Sequence, residues 1–265
     1  MPPRKKTSIK SDKYIEIFPE IEEEILETYT LIIGEEEDFY LNKLPEFFKL
    51  LNIPSCFVAD INQCIEYYYE FIRPNPELIF DATNAKHYTT LNCINAFTIT
   101  GKIDKLDMII DIIDIDKLIK NCNRLIKFRN EYAHIYDTWS MLVEASLSPN
   151  NNNDNNNNKD NDKSNDKSND KSNENRQLSE KFILNYKLGI PELKTIKTSL
   201  QLDTDRKSSA ALGDAFLIDM LSFPTTNERG QILNFDFNKP KFGLCVTIKD
   251  FAEVLGNLGE LDVVK

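Results

Sequence analysis

One pattern recurs four times along the chain and limits what it can fold into. Each copy places a residue with β-strand preference five positions before the first apolar residue of an amphipathic helix. The last copy is VTIKDFAEVLGNLGEL, residues 246–261, in which Val246 holds the β position. Its helix presents the apolar residues Phe251, Val254, Leu255 and Leu258. The β positions of the other copies are Phe39, Ile113 and Leu188.

This spacing is that of an EF-hand, where a β-bridge in the loop precedes the acidic last loop position and the exit helix. Four copies in order indicate an internal repeat of helix–loop–helix units. The entry helices are predicted at residues 19–33, 55–71, 131–147 and 208–222. The predicted fold is therefore mainly α, a degenerate four-EF-hand architecture of centrin or calmodulin type. It has two lobes, short β-bridges and long loop insertions.

Few segments favour a β-strand. The best candidates are the short stretches NFDFN, residues 234–238, and FGLCVTI, residues 242–248.

A polar run interrupts the pattern. Residues 149–177 consist almost entirely of Asn, Asp, Lys and Ser, and they repeat NDKS three times. Such a segment buries too little apolar surface to offset its ordering entropy, so it is predicted to be disordered. The predicted organisation is a disordered tail at 1–13, an N-terminal lobe at 14–130 with an insertion at about 72–110, and a C-terminal lobe at 131–265 interrupted by the disordered insertion 148–178.

The loops lack the chemistry of a calcium site, which needs oxygen ligands at positions 1, 3, 5, 9 and 12. Position 12 is Lys43 in the first loop and Lys117 in the second, so an ammonium group stands where a carboxylate should bind the ion. The third and fourth loops keep acids there, Glu192 and Asp250, but apolar or basic residues occupy their first ligand positions. We therefore predict that the protein binds no calcium, and the sequence indicates no other metal or cofactor.

Composition narrows the function classes further. A net charge of −11 argues against direct DNA binding and against contact with an anionic membrane. No run of about 18 apolar residues is present, and the five scattered cysteines favour a reduced, intracellular protein. The chain contains no phosphate-binding glycine loop, HExxH motif or nucleophile elbow, so we do not expect an enzyme.

Without calcium switching, a pair of EF-hands can act as a hydrophobic clamp on an amphipathic target helix. Both halves contain large apolar side chains that could line such a groove, with Phe47, Phe48 and Leu51 in the first half, although aromatic residues at helical spacing more often belong to a core. The candidate groove residues are Trp139, Met141, Leu142, Phe216, Met220, Phe251, Leu255 and Leu258.

Four stretches give the chain a family resemblance. They are DKYIEIFPEIEEEILETY, LNKLPEFFKLLNIP, WSML at residues 139–142, and VTIKDFAEVLGNLGEL. In these it resembles the fungal centrin-like accessory proteins of nucleotide excision repair. The resemblance implies a nuclear, non-catalytic protein that binds and stabilises the damage-recognition subunit of the xeroderma pigmentosum group C type. DNA would then be reached only through that partner.

A second hypothesis uses the same clamp for another target. A centrin-like or light-chain-like structural protein would bind a cytoskeletal or spindle-pole helix, because a fold does not by itself fix the partner. Sequence alone leaves this alternative open. It also leaves open the oligomeric state and which lobe forms the partner groove.

Overall fold

The computed structural model describes residues 12–34, 37–75, 84–103, 106–147, 178–199 and 245–261. It is mainly helical, as the sequence predicts, and its described part contains one two-stranded sheet. The α-helices are α1 (Asp12–Ile15), α2 (Pro19–Ile33), α3 (Leu44–Leu50), α4 (Ser55–Tyr67), α5 (Ala85–Asn95), α6 (Ile115–Asn130), α7 (Tyr132–Leu147), α8 (Glu180–Leu184), α9 (Ile190–Ser199) and α10 (Ile248–Leu258). A 3-10 turn at Leu41–Lys43 leads into α3, and a π-helical turn at Tyr68–Ile72 extends α4.

Three of the four predicted entry helices match observed elements. The predictions at 19–33, 55–71 and 131–147 correspond to α2, to α4 with its π turn, and to α7. The fourth, at 208–222, lies outside the described residues. Helices also follow all four β positions, namely α3, α6, α9 and α10. Local periodicity therefore located these helices well, because each has one apolar face to bury.

Short β-bridges join the segments in pairs. Leu188 and Val246, both assigned to a bridge position from the sequence, exchange two backbone hydrogen bonds of 2.9 and 2.8 Å. In the first half of the chain Tyr40 bridges Ile112, and the Ile113 amide donates to the Phe39 carbonyl at 2.8 Å. The third and fourth copies of the repeat are thus paired, as are the first and second.

The segment predicted as an insertion at 72–110 is partly ordered. It contains α5 and an antiparallel ribbon of β1 (Thr98–Ile103) and β2 (Leu106–Ile113), which the sequence analysis missed. The signal was present, because TITGKI and LDMIIDII are rich in β-branched and apolar residues and only two residues separate them. The strand candidate at 234–238 lies outside the described residues, and within 242–248 the described strand-like position is the bridge at Val246.

One hydrophobic cluster runs through the described helices. Its largest fully buried side chains include Trp139, Phe39, Phe47, Phe48, Phe57 and Phe128. Helix α10 packs on α7 and also on α4, where the Lys249 ammonium lies 2.7 Å from an Asp60 carboxylate oxygen. Thus α10 contacts both halves of the chain that the sequence analysis separates at residue 130. The lobe boundary itself stays a prediction, as does the disorder of 1–13 and 148–178.

Candidate functional site

The predicted groove residues divide by burial. Trp139 is fully buried, its ring lies 5.6 Å from that of Phe251, and its indole N–H donates to the Ile183 carbonyl at 2.9 Å. Leu255 is also buried, at 8% exposure. Both side chains therefore belong to the core between α7 and α10, where they hold the two helices together rather than face solvent.

Other candidates remain accessible. Met141 on α7 is 69% exposed and Leu258 at the end of α10 is 54% exposed. Leu142 and Phe251 are half-buried against the core. Phe216 and Met220 lie outside the described residues. Phe251, Leu258, Met141 and Leu142 are therefore the accessible candidates among the described residues, and we call them the apolar edge of α7 and α10.

The last turn of α10 sets the position of that edge. A capping box fixes the start of the helix, and Gly259 ends it in the left-handed conformation with φ 81°. Leu258 is the last residue of the helix, and more than half of it is exposed. This combination of a fixed helix and an exposed apolar terminus suits a docking surface.

The second loop places a lysine where an EF-hand would hold its ion-binding acid. The Lys117 ammonium donates to the Thr98 carbonyl at 2.7 Å and to the Asn95 carbonyl at 3.0 Å. Asn121, one turn later, donates to the Ala96 carbonyl at 2.7 Å. These carbonyls lie at the end of α5 and the start of β1, so α6 anchors the inserted segment through one charged and one neutral donor.

The two acids at the last loop positions act as helix caps. Asp250, 7% exposed, accepts hydrogen bonds from the Thr247 amide at 2.8 Å and the Thr247 hydroxyl at 2.7 Å. Glu192 accepts from the Gly189 amide at 2.9 Å. Each carboxylate is committed to backbone at a helix start, which satisfies donors that the helix leaves unpaired. Among the described residues no group of three or more Asp, Glu, His or Cys side chains could hold a metal ion.

Cys56 is an unreactive thiol in the described structure. All five thiols are free, and Cys64 and Cys122 are buried. Burial raises the pKa of Cys56 to about 11, so this thiol stays protonated near neutral pH. Since the thiolate is the reactive form, Cys56 is a packing residue rather than a nucleophile.

An N-terminal strap, residues 12–18, was not singled out by the sequence analysis as a structural contact. Tyr14, 2% exposed, donates its hydroxyl proton to Glu253 of α10 at 2.5 Å. The Lys127 ammonium on α6 donates to the carbonyls of Tyr14 and Glu16 at 2.9 and 2.8 Å. The strap therefore ties α6 to α10 from outside. The available signal was the apolar content of DKYIEIF, in which four of the seven residues are aromatic or isoleucine.

Taken together, these features define a mainly helical protein whose paired loops hold helix caps and whose surface combines acidic charge with a partly exposed apolar edge. None of the described helices has the length and apolar character that spanning a membrane requires. The chain belongs to the Rad33 family, whose model matches residues 11–205, well over half of its length. Membership of this family indicates a role in nucleotide excision repair.

The other comparisons add no relatives. Neither the curated proteins nor the solved structures contain a match to the chain. The family match ends before α10, so the stretch FAEVLGNLGEL, which carries part of the family resemblance, lies outside the matched residues.

Proposed function

We propose that the protein is a non-catalytic, calcium-independent accessory factor of nucleotide excision repair. It binds and stabilises the xeroderma pigmentosum group C-type damage-recognition subunit through a helix-in-groove contact, and it acts in the nucleus. DNA is reached only through this partner. The single observation that carries the proposal is the family match over residues 11–205. The net charge of −11 agrees with binding a basic partner rather than DNA itself.

The proposed architecture is a set of four degenerate EF-hand-like units without ions. The bridge between Leu188 and Val246 supports it, since paired hands join their loops through such bridges. The commitment of Lys117, Glu192 and Asp250 to backbone groups supports the absence of calcium, because a bound ion would need those positions as oxygen ligands.

The contact surface proposed for the partner helix is the apolar edge of α7 and α10. Leu258 is its most suitable probe, because more than half of this side chain is exposed and it makes a minor contribution to the core. Leu255 is unsuitable, because a charge at this buried position would destabilise α10 before any contact is tested.

The test compares Leu258→Asp with the control Leu50→Asp on α3, which is similarly exposed at 48%. Binding to the purified damage-recognition protein is measured by calorimetry. We expect Leu258→Asp to weaken binding about tenfold or more, the loss expected of a well-placed apolar contact, and the control to change it less than about twofold. Equal, unaltered binding by both variants would place the contact elsewhere.

Affinity purification distinguishes this function from the cytoskeletal alternative. It should recover the damage-recognition subunit, whereas the alternative predicts spindle-pole or myosin components. A strain lacking the protein should be sensitive to ultraviolet light, and normal survival would contradict the repair function.

A further inference from the structure

The outer face of α2 is exposed in the described part of the chain and is remote in sequence from the α10 edge. A shallow hollow runs along it, lined by Pro19, Glu22, Glu23, Leu26, Glu27 and Thr30. These residues recur every three or four positions, so they form one continuous stripe of the helix. Leu26, in the middle of this stripe, is 40% exposed. We call this stripe the acidic α2 face.

The opposite face of α2 is firmly held. Ile25 is fully buried, and the Glu24 carboxylate pairs with the Arg129 guanidinium through two oxygens, one at 3.0 Å. Arg129 also donates to the Leu51 carbonyl at 2.7 Å. The helix therefore presents its outer face in a fixed orientation, so a partner would not have to order it on binding.

The charge of this face is of one sign. Residues 14–34 contain six glutamates and no Lys or Arg. Of these, Glu24 is paired with Arg129, whereas no described residue forms an ion pair with Glu22, Glu23 or Glu27. Acids in the first turn favour the helix dipole, but Glu27 lies in the middle of α2, where that effect has faded. We call Glu22, Glu23 and Glu27 the acidic rim. The favourable interaction with the helix dipole explains the glutamates of the first turn but not Glu27.

We propose that the acidic α2 face docks a basic amphipathic helix of a partner protein. An apolar side chain of that helix would cover Leu26, and its Lys or Arg residues would pair with Glu22, Glu23 and Glu27. Charge complementarity selects this occupant, since an acidic or neutral helix would leave the carboxylates unpaired. The site goes beyond the proposed function, because it lies on another helix and does not depend on the α10 edge.

The test uses the full-length protein and a synthetic peptide of about 18 residues composed of Lys and Leu, with the leucines at amphipathic helical spacing. A peptide of the same composition in scrambled order tests the need for an amphipathic helix. The protein variant Glu23→Lys/Glu27→Lys removes the rim, and Glu66→Lys/Glu70→Lys is the control, because both of its glutamates are exposed and it changes the net charge equally. Calorimetry measures each Kd at low and high salt.

We expect the rim variant to weaken binding of the amphipathic peptide by about tenfold or more and the control by less than about threefold. The scrambled peptide should bind the unaltered protein at least about tenfold more weakly. If both variants lose the same affinity for the peptide, the loss results from the change in net charge and not from this site, and the proposal is overturned. Equal binding of both peptides would do the same.

A crosslinking experiment tests where the peptide binds, and it does not depend on whether the charge-reversal variants stay folded. A photo-crosslinking residue at Thr30, inside the hollow, should capture the amphipathic peptide, whereas the same residue at Glu66 should not. Capture at Glu66 but not at Thr30 would contradict the site. Leu258→Asp should leave capture at Thr30 unchanged, so failure of this site and failure of the α10 edge can be told apart.

Discussion

Among single residues, Gly256 of α10 shows how closely the N-terminal strap packs against this helix. A Cβ atom at this position would lie within 2.6 Å of three ring carbons of Tyr14, which is far inside van der Waals contact. The Tyr14 ring also stacks on Phe128, with 6.3 Å between the ring centroids. Glycine is therefore required by the close approach of the strap and not by the conformation of the helix.

Gly256→Ala should lower the free energy of unfolding by about 1–3 kcal/mol, because the added methyl group collides with Tyr14. Urea denaturation measures the change. In a Tyr14→Ala background the same substitution should be neutral or stabilising by up to about 1 kcal/mol, because alanine is the better helix former. If the cost of Gly256→Ala is the same in both backgrounds, the ring does not cause it.

Elements are joined here by charged groups as well as by apolar packing. Lys127 lies on α6 with 7% exposure and binds two carbonyls of the strap, and its ammonium lies 5.0 Å from the centre of the Phe18 ring. Asn123, one turn earlier, donates to the Glu16 carbonyl at 3.2 Å. A short segment with a single turn of helix is held in this way by side chains of another element.

Lys127→Met should destabilise the protein by about 2–3 kcal/mol, since it leaves two strap carbonyls without a charged donor. The exposed Lys120→Met on the same helix is the matched control and should change stability by less than about 0.5 kcal/mol. Hydrogen exchange of the strap amides should rise only in Lys127→Met. Unchanged exchange would show that Tyr14 and Asn123 hold the strap without Lys127.

The ion pair between α4 and α10 predicts a dependence on pH. Burial disfavours the charged form of Lys249, but the nearby Asp60 carboxylate outweighs it, so the pKa of Lys249 is raised above its usual value. A raised pKa in the folded state gives stability that is fully present below the unfolded pKa of about 10.4 and is lost as the pH rises through the folded value.

The stability difference between the unaltered protein and Lys249→Met should therefore be constant from about pH 7 to 9 and shrink above about pH 10.4. Chemical denaturation at several pH values checks this. A difference that already shrinks between pH 7 and 9 would mean that another group is responsible.

At the scale of the whole molecule, the proposal of a calcium-independent fold has a simple consequence. A ligand that binds the folded state at 100 times its Kd would add about 2.7 kcal/mol of stability. Millimolar calcium should therefore leave the Tm unchanged relative to excess chelator, because Lys117 and the capping acids offer no site. A rise of several degrees with calcium but not with magnesium would contradict this prediction.

The sequence was informative wherever a local pattern determines structure. Helical periodicity located α2, α4, α6, α7, α9 and α10, since each must bury one apolar stripe. The bridge positions Leu188 and Val246 followed from the spacing of the repeat. The insertion at 72–110 was assigned only as a loop, because the repeat frame had no place for α5 and the ribbon of β1 and β2.

The sequence by itself determined the mainly helical class, the bridge positions Leu188 and Val246 and the resemblance to repair accessory proteins, because these depend on spacing along the chain. The tertiary structure decided which members of an apolar stripe are covered. It buried Trp139 and Leu255 and left Leu258 and the outer leucines of α2 exposed. It also gave Lys117 and Lys127 their carbonyl partners. Periodicity shows that a helix has an apolar face, but only contacts between distant segments determine what covers that face.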